Sequence, residues 1–99
     1  MKLNIITLLF FSFCIGQNAE LFDNGNDLYN QGRYLEAIES YSDIIKDGKH
    51  SSELYYNMGN SYYKLNDIAN SIFYYEKALL LNPKSEKITN NLSFAQNML

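Results

Sequence analysis

The chain has 99 residues, with 11 Asp+Glu against 8 Lys+Arg, a formal charge of −3, one His, one Cys, one Pro and no Trp. That length holds one small domain, and the charge excludes a strongly basic nucleic-acid binder, which needs a Lys/Arg excess on some face. One Cys makes no internal disulfide and one Cys with one His makes no structural zinc site, while five Gly, one Pro and 46% apolar residues exclude collagen-like and disordered classes.

Met1-Lys2 is a short basic start, and Leu3 to Ile15 is almost wholly apolar, diluted by Asn4, Thr7 and Ser12. Small Gly16 follows, and the chain turns polar at Gln17-Asn18. This is the order of a secretory signal peptide, so residues 1–16 are read as a leader cut after Gly16. A membrane-spanning helix needs about 20 apolar residues, which this run does not reach. Lipidation of Cys14 asks for a small residue before it, where Phe13 stands. Cleavage would leave residues 17–99 as a cysteine-free exported domain held by its core alone, and about 83 residues is marginal for that.

Beyond the leader, a shift of 34 residues lays the sequence on itself. Gly25 falls on Gly59, Asn26 on Asn60, Tyr29 on Tyr63, Ile38 on Ile72 and Tyr41 on Tyr75. A fixed period of this size marks a helical-hairpin solenoid. Within each period the apolar spacing is helical. Leu21, Phe22, Gly25, Leu28 and Tyr29 form the first stripe. A break at Gln31-Gly32-Arg33 follows, with Gly32 as the stop. Tyr34, Ala37, Ile38, Tyr41, Ile44 and Ile45 form the second stripe, closed by Gly48. Ser51 or Ser52 caps the third helix, whose stripe is Leu54, Tyr55, Met58, Tyr62 and Leu65. Asn66 takes the part of Gly32, because Asn tolerates the left-handed conformation. Ile68, Ile72, Tyr75, Ala78 and Leu79 make the fourth stripe, and Asn82-Pro83 ends it. A fifth helix starts near Ser85, with Ile88, Leu92 and Ala95 facing inward. The fold class read from this pattern is all-α: two full repeats, about 18–51 and 52–85, plus a fifth helix at about 85–99 that caps them or opens a third repeat.

Gly25, Tyr34, Ala37 and Tyr41, then Tyr55, Gly59, Tyr62, Tyr75, Ala78 and Pro83, resemble the tetratricopeptide repeat. The small residues let two backbones approach and the large aromatics fill the space beside them. Ser71 departs from the usual Ala, Ile44 from a later Ala and Asn24 from a Leu. The leader followed by "LFDNGNDLYNQGRYLEAIESY", "LYYNMGNSYYKLNDIANSIFYYEKALLLNP" and "NNLSFAQNM" also resembles the BatE family of the Bacteroidetes aerotolerance operon. That resemblance implies export to the periplasm and partners of the von Willebrand A type in the membrane. Members of that family continue into membrane-spanning segments and a small SH3-like domain, whereas this sequence stops at Leu99 inside its fifth predicted helix.

No catalytic constellation is visible, and the expectation is a protein without enzymatic activity, cofactor, metal or small-molecule substrate. His50 stands alone in a predicted loop, and Glu36, Glu39, Asp43 and Asp47 read as a solvated helix face. The informative pattern is Phe22, Asn26 and Tyr29, spaced i, i+4, i+7 and repeated as Tyr56, Asn60 and Tyr63, which puts each trio on one helix face. Asn90, Phe94 and Asn97 stand at the same places on the fifth helix. In the tetratricopeptide family these positions line the concave groove, so the resemblance implies peptide binding there. Tyr29 and Tyr63 are equally suited to packing between repeats. A clamp for terminal carboxylates in some relatives would map onto Phe22, Asn26, Asn57, Lys87 and Asn91. Three of those fit and two cations are missing, so apolar and backbone contacts are expected to dominate. The candidate peptide-binding residues are Phe22, Asn26, Tyr29, Tyr56, Asn57, Asn60, Tyr63, Lys87 and Phe94. The alternative is a self-assembly module using Phe94, Met98 and Leu99 of an uncovered fifth helix.

Overall fold

A computed structural model describes the backbone of residues 5–99 and the side chains from Asn18 onward. It contains five helices: α1 (Ile5–Asn30), α2 (Tyr34–Lys46), α3 (Ser52–Lys64), α4 (Ile68–Leu81) and α5 (Glu86–Gln96). There is no strand among the described residues. The leader expected over residues 1–16 lies outside the described residues at positions 1–4 and, for its side chains, throughout. From Ile5 its backbone belongs to α1, which passes Gly16 unbroken. Among the described residues no helix is long and apolar enough to cross a membrane.

The fold is the helical-hairpin solenoid that the period implies. α1 pairs with α2 and α3 with α4, α2 joins the two hairpins through α3, and α5 packs on α3 and α4 as the first helix of a third repeat would. Consequently α1, α3 and α5 lie side by side along one face, with α1 touching α3 and α3 touching α5.

Helix ends follow local chemistry. Gly32 (φ 77°), Gly48 (φ 76°) and Asn66 (φ 61°) adopt the left-handed conformation that terminates α1, α2 and α3. At Gly32 the Arg33 amide reaches back to the Leu28 carbonyl (2.9 Å) and the Gly32 amide to that of Tyr29 (2.9 Å). At Asn66 the pair recurs one repeat later, Asp67 to Tyr62 (2.9 Å) and Asn66 to Tyr63 (3.0 Å). Of the two candidate caps for α3, Ser51 accepts from the Leu54 amide (3.0 Å), while Ser52 Oγ donates to the Ala78 carbonyl (3.0 Å) and ties α3 to α4.

The core comprises Ala37, Ile38, Tyr41, Ile44, Leu54, Tyr55, Met58, Tyr75, Ala78, Ile88, Leu92 and Ala95. Its organising contact is a tyrosine ring laid across a glycine, made twice. A Cβ placed on Gly25 would collide with the Tyr41 ring, and one on Gly59 would meet Cδ1 of Tyr75 at 2.5 Å. Ser71, at the place of Ala37, is fully buried and donates to the Gly59 carbonyl (2.9 Å), so its hydroxyl is satisfied where the usual Ala would have none. Ile44 is buried, and Asn24 stays exposed and donates to Ser40 Oγ (3.3 Å). Phe94, Met98 and Leu99 are exposed, as expected from the sequence.

Gly59→Ala is predicted to destabilise the domain by about 1–3 kcal/mol, the usual cost of forcing atoms into a close-packed site. Urea unfolding reads the effect, and the cost should shrink in a Tyr75→Leu background; an equal cost in both backgrounds would show that the ring is not the obstacle.

Candidate functional site

The side-by-side helices α1, α3 and α5 enclose two adjoining hollows on their shared face. One, of about 320 Å³, is lined by Asn26, Tyr29, Asn30, Tyr41, Asn57 and Asn60. The other, of about 310 Å³, is lined by Tyr29, Tyr56, Asn60, Tyr63, Lys64, Tyr75, Asn91 and Phe94. Adding 34 to each residue of the first gives Asn60, Tyr63, Lys64, Tyr75, Asn91 and Phe94, all of which line the second. The groove is therefore one subsite built twice, with Asn30 exchanged for Lys64 and Asn60 for Phe94 between copies.

Each copy is organised by an Asn side chain whose oxygen is held from two directions. Asn26 Oδ1 accepts from the Tyr41 hydroxyl (2.6 Å) and from Asn57 Nδ2 (2.9 Å). Asn60 Oδ1 accepts from the Tyr75 hydroxyl (2.5 Å) and from Asn91 Nδ2 (3.0 Å), and Asn91 Nδ2 also donates to the Tyr56 hydroxyl (2.9 Å). Two donors on one carbonyl oxygen fill both lone pairs and fix the orientation of the amide. Among the described residues Nδ2 of Asn26 and of Asn60 donates to no protein group, and no buried side-chain nitrogen or oxygen lacks a partner. Each Nδ2 is thus left as an oriented donor on the groove. The same bonds run from one repeat to the next, through Asn57 and Asn91, so they join neighbouring hairpins as well.

Aromatic side chains flank these amides. The Phe22 and Tyr41 rings lie 6.0 Å apart at 51°, and their counterparts Tyr56 and Tyr75 lie 6.0 Å apart at 42°. Tyr29 meets Tyr34 edge-on at 5.2 Å, so it packs within its own repeat while still lining both hollows. Lys87 Nζ sits 4.7 Å from the centre of the Tyr56 ring, a cation–π contact on the rim.

Of the residues singled out in the sequence, Asn26, Tyr29, Asn57 and Asn60 converge on the first hollow, and Tyr29, Tyr56, Asn60, Tyr63 and Phe94 on the second. Lys87 lies at the edge. Phe22 lines a separate hollow with Ile44, Lys49, His50 and Leu54. Its counterpart Tyr56 has Tyr29 of the preceding repeat on its flank, whereas among the described residues no helix precedes α1 to give Phe22 such a neighbour. Asn90 and Asn97 line neither hollow: no helix lies beyond α5 among the described residues to close a third copy. Lining residues outside the candidate set are Asn30 and Lys64, which the sequence did not single out, Tyr41 and Tyr75, which it placed in the core, and Asn91, which it named only as a clamp position without its cation. The signal was present in the period: at a shift of 34, Asn30 pairs with Lys64, Tyr41 with Tyr75, and Asn91 with the candidate Asn57.

Chemically the groove offers amide donors, phenol hydroxyls, aromatic faces and two ammonium groups, Lys64 in its wall and Lys87 on its rim. Among the described residues no group of three His, Cys, Asp or Glu converges to hold a metal. Burial pushes Tyr41 and Tyr75 from 10.0 up to about 12, opposed by side-chain hydrogen bonds involving Asn57 for Tyr41 and Ser71 and Asn91 for Tyr75. Both phenols therefore stay protonated and able to donate throughout the neutral range.

Residues 52–85, spanning α3 and α4, match the family model described as tetratricopeptide repeat. No curated protein matches the chain. Tetratricopeptide repeats are in general protein–protein interaction modules, which agrees with a groove rich in hydrogen-bonding and aromatic groups.

Since the native state holds protons on Tyr41 and Tyr75 that an unfolded chain releases near pH 10, stability should fall as pH rises from 10 to about 12. An absorbance titration should show these two phenols among the last of the nine to ionise, and Tyr75→Phe should remove one late step. Ionisation of all tyrosines in a single step near 10 would contradict the burial of the two hydroxyls.

Proposed function

We propose that this chain is an exported, non-enzymatic adaptor that holds an extended peptide segment of a membrane-associated protein in the concave groove. The observation that carries it is the duplicated subsite with Asn26 and Asn60 clamped by their oxygens and open at their nitrogens. A peptide backbone presents carbonyl acceptors at regular intervals, which suits a row of fixed donors. Tyr29, Tyr56, Tyr63 and Phe94 supply apolar contact with few rotamers to freeze. A groove already held open by its own hydrogen bonds loses little freedom on binding. Export is supported by the apolar run over residues 3–15 with its small Gly16, and the narrower BatE resemblance adds membrane proteins of the von Willebrand A type as the partner class. An adaptor rather than an enzyme fits a groove of amides, phenols and two ammonium groups, with no nucleophile set beside a base among the described lining residues.

The test is selection of a random linear peptide library on the folded domain, followed by affinity measurement against variants. Tyr56→Ala and Phe94→Ala should each weaken the selected peptides by about tenfold or more, as truncation of an interface anchor does. Selected peptides that bind these variants unchanged would remove the groove from the account, and a cytoplasmic protein that keeps its first sixteen residues would remove export.

A further inference from the structure

The two subsites are not chemically alike, and their differences specify a ligand. The first is lined by four Asn and two Tyr and carries no charge. The second exchanges Asn30 for Lys64 and Asn60 for Phe94, so an ammonium and an apolar ring stand where the first has two amides. Lys87 adds a second ammonium at the rim, over Tyr56. Among the described residues neither lysine forms an ion pair; the salt bridges present are Arg33–Glu36 and Lys46–Asp43, both elsewhere. No Asp or Glu lines either hollow, although the chain carries more acids than bases. Acidic groups gather at the other end instead, where Glu20, Asp23 and Asp27 line a hollow on α1. A protein of net negative charge thus presents unpaired cations at the α3–α5 end of its groove and carboxylates near the α1 end.

The period of the subsites fixes the period of the ligand. Helices packed side by side stand about 8–10 Å apart. An extended chain advances about 3.3 Å per residue, so moving from one subsite to the next takes about three residues. Three residues is an odd step in a strand, so the two anchoring side chains would leave opposite faces of a flat strand. The ligand therefore runs in a twisted, polyproline-like course, whose repeat is also three residues at about 3.1 Å each.

We propose that the groove reads an acidic, extended peptide in three-residue steps, with a neutral hydrogen-bonding side chain such as Gln in the Asn26–Asn57 subsite and a Glu in the Lys64–Phe94 subsite. The Glu stem lies on Phe94 and its carboxylate meets Lys64. The Gln amide exchanges hydrogen bonds with the Asn-lined wall. Nδ2 of Asn26 and of Asn60 donates to backbone carbonyls one subsite apart. Lys87 adds attraction for further acid beyond the second subsite. The inference rests on the peptide-binding function proposed above and adds its register and charge.

The experiment uses fluorescence polarisation with labelled, end-blocked nonapeptides of Ser carrying one Gln and one Glu. The separation is two, three or four positions, in both chain directions, and a matching set carries Lys in place of Glu. One direction at a separation of three should bind tightest, by about fivefold over separations of two and four. The Glu peptide should exceed its Lys counterpart by about tenfold at low salt, and the gap should narrow as salt is raised. Lys64→Glu should reverse the Glu-over-Lys preference, while Lys46→Glu, at an exposed lysine of α2 away from the groove, should leave it unchanged. Equal affinity at every separation overturns the register, and a Glu preference that survives Lys64→Glu overturns the charge assignment. If no nonapeptide binds while library peptides do so in a manner sensitive to Tyr56→Ala, the register and charge inference falls and the groove function stands. If library peptides ignore Tyr56→Ala, both fall.

Discussion

A tyrosine ring lying flat across a glycine is the contact on which the rest of this molecule depends. In each hairpin the second helix approaches the first so closely that only hydrogen fits at Gly25 and Gly59, and the rings of Tyr41 and Tyr75 occupy the space. The same side chain then serves two purposes. Its ring is core, almost wholly buried, while its hydroxyl emerges on the opposite side and donates to Asn26 or Asn60. Hairpin packing and groove geometry are thus two ends of one residue. The bond from Asn57 or Asn91 to the same oxygen extends the linkage to the next helix, so the groove is held in shape by contacts that also stack the repeats.

This arrangement explains how a chain of this size keeps an oriented polar surface. Buried polar groups are costly unless paired. Here the buried hydroxyls of Tyr41, Tyr75 and Ser71 each have an acceptor, and the Asn oxygens that serve them are filled. What remains unpaired is outward-facing and available to a ligand. α5 shows the complementary strategy. The places held by Tyr55, Gly59 and Tyr62 on α3 are held by Thr89, Ser93 and Gln96 on α5, so the side that α4 would cover on α3 is polar and solvated on α5. Its buried side, with Ile88, Leu92 and Ala95, completes the core, and Phe94 closes the second subsite.

Much of this was legible in the sequence. The period of 34 gave the hairpins, the left-handed stops at Gly32, Gly48 and Asn66, and the inward residues of α5. It also gave most of the groove, because positions that recur on a first helix recur on the same face. The hidden part has a physical reason. Tyr41 and Tyr75 sit squarely in an apolar stripe, and periodicity reports where a ring is buried without saying where its hydroxyl emerges. Asn30 and Lys64 close their helices, where the face a residue takes depends on the turn that follows. Asn90 and Asn97 carry the right phase for a groove, but a groove needs a helix on both sides, and a shift of 34 cannot tell whether that neighbour is there. Phe22 stands outside the groove for the mirror-image reason, since among the described residues no helix precedes α1.

The central claim is that one phenol couples packing to recognition, and Tyr75→Phe tests it most directly, since it keeps the ring over Gly59 and deletes only the bond to Asn60. Urea unfolding and affinity for library-selected peptides should be measured on the same variant. The account predicts a stability loss of only about 1 kcal/mol, the net worth of one hydrogen bond, together with a clear loss of peptide affinity as the Asn60 amide loses its fixed direction. Unchanged affinity at that modest stability cost would contradict it, since the hydroxyl would then be a core detail with no bearing on what the groove holds.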